Sequence, residues 1–483
     1  MTSVHGADGG NAVDVVVVGG GIAGLSAAFE LQKRGLSFVI LERASRTGGV
    51  ILSEQIGEFV VDGGPDSILT QKPEGIALCK ELGIADRLVP TKPPRLAYIQ
   101  RGGRLHPLPA HSVLGIPTQF GPFLKTRLFS WTGKMRMGAE LFIAAAKDDR
   151  DESIASFIRR RFGDEAVTYL AEPLLAGIHA GDVDRLSIRA LFPRFVETER
   201  MHGSLLRAFR RQRPAAPPSP DGVFRSFPGG LSELVNALTN ALPRISLRLD
   251  APAVHLSRTR PSSVERARTE QTTGLEAWRV QTADGSTYAG RAVILTSPAY
   301  VSADLLGEVD AELMRLCGEI VYASSGTIAL AFPRAAVAHP LNGSGFVVPR
   351  VERTGIMAAS WLSSKWPNRA PDNYVLMRAF VGGARDPGAL DRSDDELIAV
   401  AMRALRPLLG ISGDPSFTRV YRFERKSAQH EVGHLDRMAA IDRRLESIPG
   451  LFLTGSGFRG VGIPDCVADA RATARKVVTC LAI

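Results

Sequence analysis

The spacing of apolar residues changes period several times along the chain, and each change marks an element. Val13 to Val18 is an unbroken β-branched run, too short for a helix, which predicts a strand buried on both faces. From Ile22 to Arg34 the spacing becomes helical, with Leu25, Ala28, Phe29 and Leu31 on one side. Ser37 to Leu41 is a second strand, ending on Glu42. Gly19, Gly21 and Gly24 fill the turn between the first strand and the helix as G-x-G-x-x-G.

Further along, Val50 to Val61 alternates as a hairpin around Gly57, Pro73 to Leu82 is a short helix closed by Gly83, and Pro93 to Pro109 is a hairpin turning on Gly102-Gly103. Ser153 to Leu175 is helical with Ser153 as N-cap, broken by the glycines of PLLAGIHAGD, and Leu186 to Leu206 is helix kinked at Pro193. RRQRPAAPPSPDG (Arg210 to Gly222) is a linker. Helix resumes in FPGGLSELVNAL and strand at Ser246 to Ser257, and Arg258 to Gly274 is a polar loop. Ala277 to Ala283 and Tyr288 to Leu295 form a hairpin across Asp284-Gly285 whose return strand suggests that the first domain resumes here. Strands follow at Thr327 to Phe332, Gly345 to Val348, Ile356 to Trp361 and Tyr374 to Val381, then a helix from Ser393 to Leu409 with Ser393 and Glu396 spaced as a capping box. The last segment, from Gly450, reads strand, glycine-rich turn, helix.

The opening strand, turn, helix and strand give the glycines chemistry. They permit a tight turn and close approach of backbone, and the helix start offers free N–H groups to a pyrophosphate. Glu42, about 20 residues on, stands where a carboxylate holds a ribose hydroxyl, so the expected ligand is a dinucleotide without a 2′-phosphate.

At 483 residues the chain needs two or three domains, and 45% hydrophobic content is that of an ordinary globular protein, with no apolar run of membrane-spanning length. Met1 to Ala12 carries neither a basic region nor an apolar segment and reads as a frayed tail. Cys79, Cys317, Cys466 and Cys480 lie at no metal-like spacing, so no metal is expected and a reducing compartment is. The net charge of +9 is localised: from Thr91 to Lys147 nine Lys and Arg residues face one acid, Glu140. Phe120, Phe123, Leu124, Leu128, Phe129, Trp131, Leu141, Phe142 and Ile143 alternate with them, which favours a surface that dips into an anionic bilayer over nucleic acid, the plain alternative being a helical core.

Arg46-Thr47-Gly48-Gly49 resembles the R-x-G-G turn of FAD-dependent oxidases of the amine oxidase superfamily. The ordered set VVVGGGIAGLSAA, ER-x-x-R-x-GG, DGGPDS, the Arg95 hairpin, LLAGIHAGD, FPGGL, AFVGG, QHEVGH and GFRGVGIPDCV resembles, over Val13 to Val478, the oxygen-dependent protoporphyrinogen and coproporphyrinogen oxidases. The resemblance implies an α/β and α+β architecture: a discontinuous Rossmann-like FAD-binding domain (13–90, 222–298 and 448–481), a helical membrane-binding subdomain (91–210), a linker (211–221) and a mixed-sheet substrate domain (299–447). It implies non-covalent FAD held by Gly19, Gly21, Ile22, Ala23, Gly24, Glu42, Arg43, Arg46, Gly48, Gly49, Gly63, Gly64, Val254, Val461, Gly462 and Ile463. The flavin carries the reaction and no protein residue is catalytic.

On the substrate side, Arg95 matches an arginine that pairs with a propionate, its alternative being a solvated charge. Phe380 matches an aromatic on a pyrrole face, with Val347 opposite, or is plain β-core; Gly177 and Ala176 match a turn at the macrocycle. Asp66 stands where many protoporphyrinogen oxidases carry Asn, and beside a polycarboxylate it must be turned away, protonated or paired. His179 and His434 are read as structural. The expected reaction is six-electron oxidation of protoporphyrinogen IX with release of hydrogen peroxide, and the alternatives are coproporphyrinogen III, another flavin oxidase or desaturase, and a non-catalytic lipid-escort protein. The expected partners are porphyrinogen, oxygen, an anionic membrane surface and a second copy in a homodimer, with no nucleic acid; the expected location is cytoplasmic, on the inner face of the membrane.

Overall fold

A computed structural model describes residues 12–109, 112–113, 116–117, 120–146, 149–211, 221–259 and 277–482. Most of the expected tail (1–11), of the linker (212–220) and of the expected polar loop (260–274) lies outside the described residues, while Ala12 and Arg258 belong to strands.

The first strand, Ala12–Val18, pairs in parallel with Phe38–Leu41 on one side (Val15 opposite Phe38) and with Thr287–Leu295 on the other (Val13 opposite Gly290). Leu247–Arg248 extends the sheet beyond Phe38–Leu41, and Leu451–Leu453 adds in parallel to Thr287–Leu295, which also carries the antiparallel pair Ala277–Thr282 and Ala253–Thr259. Three distant parts of the sequence thus share one sheet. Because side chains alternate, Val15 and Val17 enter a core with helices Ile22–Lys33 and Ile463–Leu481, while Val16 and Val18 enter a second core with helices Ala299–Leu306 and Ala311–Gly318. Burial on both faces explains the unbroken apolar run.

A second seven-stranded sheet runs in the order Phe417–Ala428, Tyr322–Pro333, Tyr374–Gly382, Ala358–Ser360, Gly345–Val347, Ala97–Arg101, Arg104–Pro107. The hairpin on Gly102-Gly103 was expected with the helical segment; its strand Ala97–Arg101 instead pairs in parallel with Gly345–Val347 and belongs to this sheet. Strand Phe417–Ala428 was not foreseen. It is a half-exposed edge in which charged residues interrupt the alternation, Arg419 pairing with Glu54 and Arg422 with Asp394. One face of the sheet packs on helix Asp394–Leu409, opened by the expected capping box of Ser393 and Glu396. The other face meets Val61 of the hairpin Ser53–Ile56/Phe59–Asp62.

A helical region packs against Ile99 and Val347 of the second sheet, and its breaks differ from those expected. Helix Ile154–Phe162, capped by Ser153, ends at Gly163 (φ +89°), not at the later glycines, and Val167–Ala176 continues as a π-helix through Pro173, whose missing N–H disfavours α-helical pairing. Pro193 does not kink a helix. It opens one, Pro193–His202, where its missing N–H costs nothing, and Gly203 (φ +71°) ends that helix.

Much of the supposed bilayer-facing set is core here. Phe123, Leu128 and Phe129 are buried with Phe157, Phe162 and Phe195, and Phe123 and Phe129 pack ring against ring at 5.8 Å. Three of the cations are likewise internal anchors. Arg101 pairs with Glu165 (2.7 Å), Lys134 is buried and donates to Leu124 O, and Arg136 donates to the carbonyls of Arg159, Arg160 and Arg161 at the end of helix Ile154–Phe162.

Glu140, the single acid in the basic stretch, is fully buried against the fully buried Arg161 and accepts from Ser204 Oγ (2.5 Å) and the N–H groups of Leu205 (2.9 Å) and Leu206 (3.2 Å). Arg161 also reaches Glu199 (3.2 Å), which pairs with Arg160. Removing one member leaves an uncompensated buried charge, so Glu140→Ala should cost about 3–5 kcal/mol in denaturant unfolding. A loss below about 1 kcal/mol would show that the network does not hold the helical region.

Candidate functional site

The glycine turn is shaped by what would collide with a side chain. A Cβ on Gly24 would lie 1.9 Å from Gly19 O, and one on Gly19 (φ +111°) would meet Thr296 Oγ1 at 2.6 Å; one on Gly21 would meet nothing within 4 Å. Gly19 and Gly24 therefore let helix and strand approach, while Gly21 faces open space at the helix start. That helix has no side-chain cap and no acid in its first turn, which leaves the backbone N–H groups of Ile22, Ala23 and Gly24 for an anion.

Glu42, buried at the end of the second strand, accepts from the N–H of Gly20 (2.6 Å) and of Ala44 (2.8 Å) and so ties the glycine turn to that strand. Arg43 is exposed beside it. Arg46 donates to the carbonyls of Thr47, Gly49 and Ile51 and fixes the turn in which Gly48 N–H binds Gly20 O (2.8 Å). Val254 is half exposed at a register irregularity of its strand, close after Ala251, whose N–H binds Glu42 O (2.9 Å).

The distant end of the sequence closes the cradle. Gly455 (φ +119°) lies beside Ala23 and Thr296, and Gly462 starts helix Ile463–Leu481, again without a side-chain cap, after Val461. Asp465 in its first turn is taken by Lys72 (2.6 Å). Two uncapped helix starts, an open glycine position and a buried carboxylate on one sheet edge fit a dinucleotide.

The turn Gly63-Gly64 is held from the second sheet. A Cβ on Gly63 would strike the Tyr421 ring at 2.7 Å and one on Gly64 would strike Val50 O at 1.9 Å. Thr327 Oγ1 donates to Gly63 O (2.7 Å), and the buried Arg378 donates to the carbonyls of Asp62 and Gly64. In register, Val347, Ala358, Phe380, Thr327 and Tyr421 form one row and share a face. Phe380 is half-buried on that face, with Arg378 stacked on its ring at 4.7 Å. The sequence reading missed Arg378 and Thr327; the period-two spacing of Arg378 from Phe380 is the signal that points to it.

Asp66 is neither turned away nor protonated. Burial raises its pKa, but Lys365 (2.8 Å) and Arg378 (3.6 Å) outweigh that and hold the carboxyl well below the usual carboxylate range, with Trp366 Nε1 donating as well (3.2 Å). Its charge is spent inside the protein. Arg95 is exposed and donates through Nε to Thr91, leaving both terminal nitrogens without a partner among the described residues. Gly177 begins the short helix Gly177–His179 and borders a cavity of about 320 Å³; Ala176 ends the π-helix before it, its side chain outside the described residues.

The histidines clasp the glycine-rich turn. His430 and His434 stack at 3.9 Å, and their Nε2 atoms bind Ser456 O (3.1 Å) and Phe458 O (2.7 Å). Burial pushes His430 down to about 3 and His179 to about 4, the neighbouring His434 adding to the shift of His430.

A flavin containing amine oxidoreductase model matches residues 22–478. Coproporphyrinogen III oxidase of Bacillus subtilis is 34% identical over 479 residues, covering 97% of this chain and 98% of the relative. Protoporphyrinogen oxidase 1 of Arabidopsis thaliana chloroplasts is 29% identical, covering 96% and 88%. A solved structure from Exiguobacterium sp. 255-15, assigned to protoporphyrinogen oxidase, superposes with a TM-score of 0.83 at 30% identity, covering 96% and 98%.

Two outcomes follow from this geometry. Gly21→Val, whose side chain enters open space at the helix start, should yield folded protein that retains no flavin, read from the visible absorbance of the purified chain; full retention would remove the turn from the site. Because unfolded imidazoles take up protons that the buried ones refuse, stability is full above about pH 6.5 and falls toward pH 4, by up to about 1.4 kcal/mol per pH unit for each histidine. His430→Gln should flatten that slope in urea titrations at stepped pH, and an unchanged slope would contradict the assignment. With cradle, clasp and sheet face in place and the family match running through all three, the chain belongs to the flavin-containing amine oxidoreductases.

Proposed function

We propose that this enzyme oxidises coproporphyrinogen III to coproporphyrin III in haem biosynthesis, with oxygen as final acceptor and non-covalent FAD. The observation that carries this reading is the identity to a coproporphyrinogen III oxidase along almost the whole of both chains, through the cradle and the sheet face alike. The sequence alone favoured protoporphyrinogen; the bacterial relatives weigh toward the substrate with four propionates.

A bound flavin supplies two-electron dehydrogenation, used three times for six electrons. The chain's own part is placement. The N–H groups of Ile22 to Gly24 hold the pyrophosphate and Glu42 the ribose. Arg378 and Thr327 fix the Gly63-Gly64 turn against the face that carries Phe380, which offers a pyrrole ring an aromatic surface. Arg95, whose two terminal nitrogens have no partner among the described residues, takes a propionate as a bidentate partner. Asp66, neutralised by Lys365 and Arg378, adds no repulsion to the polycarboxylate.

We also assign the protein to the inner face of the membrane. Once the buried residues are set aside, Trp131 (68% exposed), Met135, Leu124 and Phe142 (88% exposed) remain as apolar groups on the helical region, which also carries Lys125 and Arg127 without an ion pair among the described residues. No helix among the described residues is long and apolar enough to cross a membrane.

Purified protein should be yellow and oxidise coproporphyrinogen III with a higher kcat/KM than protoporphyrinogen IX in a fluorescence assay; a colourless protein, or turnover of neither, ends this reading. Trp131→Asp with Phe142→Asp should abolish salt-sensitive sedimentation with anionic vesicles at unchanged oxidase activity. Undiminished sedimentation would remove this patch from the membrane contact.

A further inference from the structure

The 320 Å³ cavity beside Gly177 is not explained by the flavin cradle. It sits at one end of the second sheet: Val347, Ala358 and Phe380 lie in one row, and the lining residues Val348, Met357 and Gly382 lie one or two positions beyond it along the same strands. A macrocycle on the Phe380 face therefore has this cavity at its edge. Arg95 marks the opposite edge. The pairing of Ile99 with Val347 puts Arg95 five residues from the level of Val348, roughly 16 Å at the rise of a strand.

Both acids that line the cavity are already paired, and Arg385, which binds one of them, also binds Asp182 (2.9 Å) and reaches Asp184 (3.8 Å). Glu172 is bound by Arg385 (2.5 Å) and by the N–H of Arg350 (2.6 Å), and Asp386 by Arg392 (3.2 Å). Arg350 and Arg353 line the cavity with side chains that have no hydrogen bond or ion pair among the described residues. Arg385, largely buried, keeps a buried Nε without a partner. The turn bearing the two free arginines is fixed at both sides, by Glu172 on the Arg350 N–H and by Glu352, which accepts from the N–H groups of Gly102 (2.9 Å) and Gly103 (3.3 Å). A rigid turn that holds two unpaired guanidinium groups over a cavity suits carboxylates.

We propose that this cavity receives the propionates that coproporphyrinogen carries and protoporphyrinogen lacks, with Arg350 and Arg353 as specificity-determining residues. The inference rests on the porphyrinogen reading above. At the other edge Arg95 serves a propionate common to both substrates, so the two ends divide recognition and selection between them.

The test compares the full flavin-loaded chain with Arg350→Ser/Arg353→Ser and Arg350→Lys/Arg353→Lys. Steady-state oxidation of coproporphyrinogen III and protoporphyrinogen IX is measured beside equilibrium binding of the two porphyrins by fluorescence quenching. The serine pair should raise KM for coproporphyrinogen about tenfold or more, and weaken coproporphyrin III binding in proportion, with at least fivefold less effect on the protoporphyrin series; the lysine pair should recover part of the loss. Equal effects on both series, or none, would overturn the proposal. Selective, arginine-dependent binding of coproporphyrin III without turnover of either porphyrinogen would uphold the carboxylate site and sink the oxidase reading.

Discussion

The fold depends on how two sheets are locked across the Asp62–Gly64 turn. Asp62 and Arg369 are both fully buried and paired at 3.0 Å, and Arg369 also donates to Phe227 O, Pro228 O and Ser226 Oγ, while Asp62 accepts from Leu231 N–H and Ser53 Oγ. Arg378 holds the carbonyls of the same turn from the neighbouring strand. A buried ion pair contributes little net stability against apolar groups of the same shape, but it tolerates few arrangements, since every unmatched atom carries a full desolvation cost. What this one delivers is position: the Phe380 face is held against the cradle by bonds that cannot slide.

Local chemistry was legible in the sequence, and long-range assembly less so. The buried strand Ala12–Val18, the glycine turn and the capping box at Ser393 are each decided within a few residues, and period and residue type report them. Strand Phe417–Ala428 is decided by partners a hundred residues away, and its own charges hide it. The hairpin at Gly102-Gly103 was legible as a hairpin but not as part of the second sheet, because its partner Gly345–Val347 carries no signal that selects it. In the site, Phe380 and Gly177 came from family likeness; Thr327 came only with the register, Arg350 only with the cavity, and Arg378 only once Phe380 gave its period-two spacing a meaning. A single arginine takes its meaning from the neighbour it is spaced against.

The basic stretch teaches a related point. Alternating cations and aromatics look alike whether they meet lipid or each other. Lys134 and Arg136 end on backbone carbonyls, Arg101 on Glu165, and Phe123 and Phe129 inside a core. Helix-terminal carbonyls are anionic enough to hold arginines, so a charge excess in sequence need not remain an excess on the surface.

Helices Ile22–Lys33 and Ile463–Leu481 lie side by side, joined by Arg471 and Glu30 across 441 residues. On the ribosome the first strand and its helix therefore emerge with an apolar layer that helix Ser232–Ala241 covers only in part, the rest waiting until the segment around residue 463 has been made. At elongation rates of about 5–20 residues per second, that is an interval of tens of seconds. The nucleotide cradle is consequently among the last parts of the molecule to close, and the newborn chain must be guarded from aggregation, or assembled from the second sheet outward, before any cofactor can be retained.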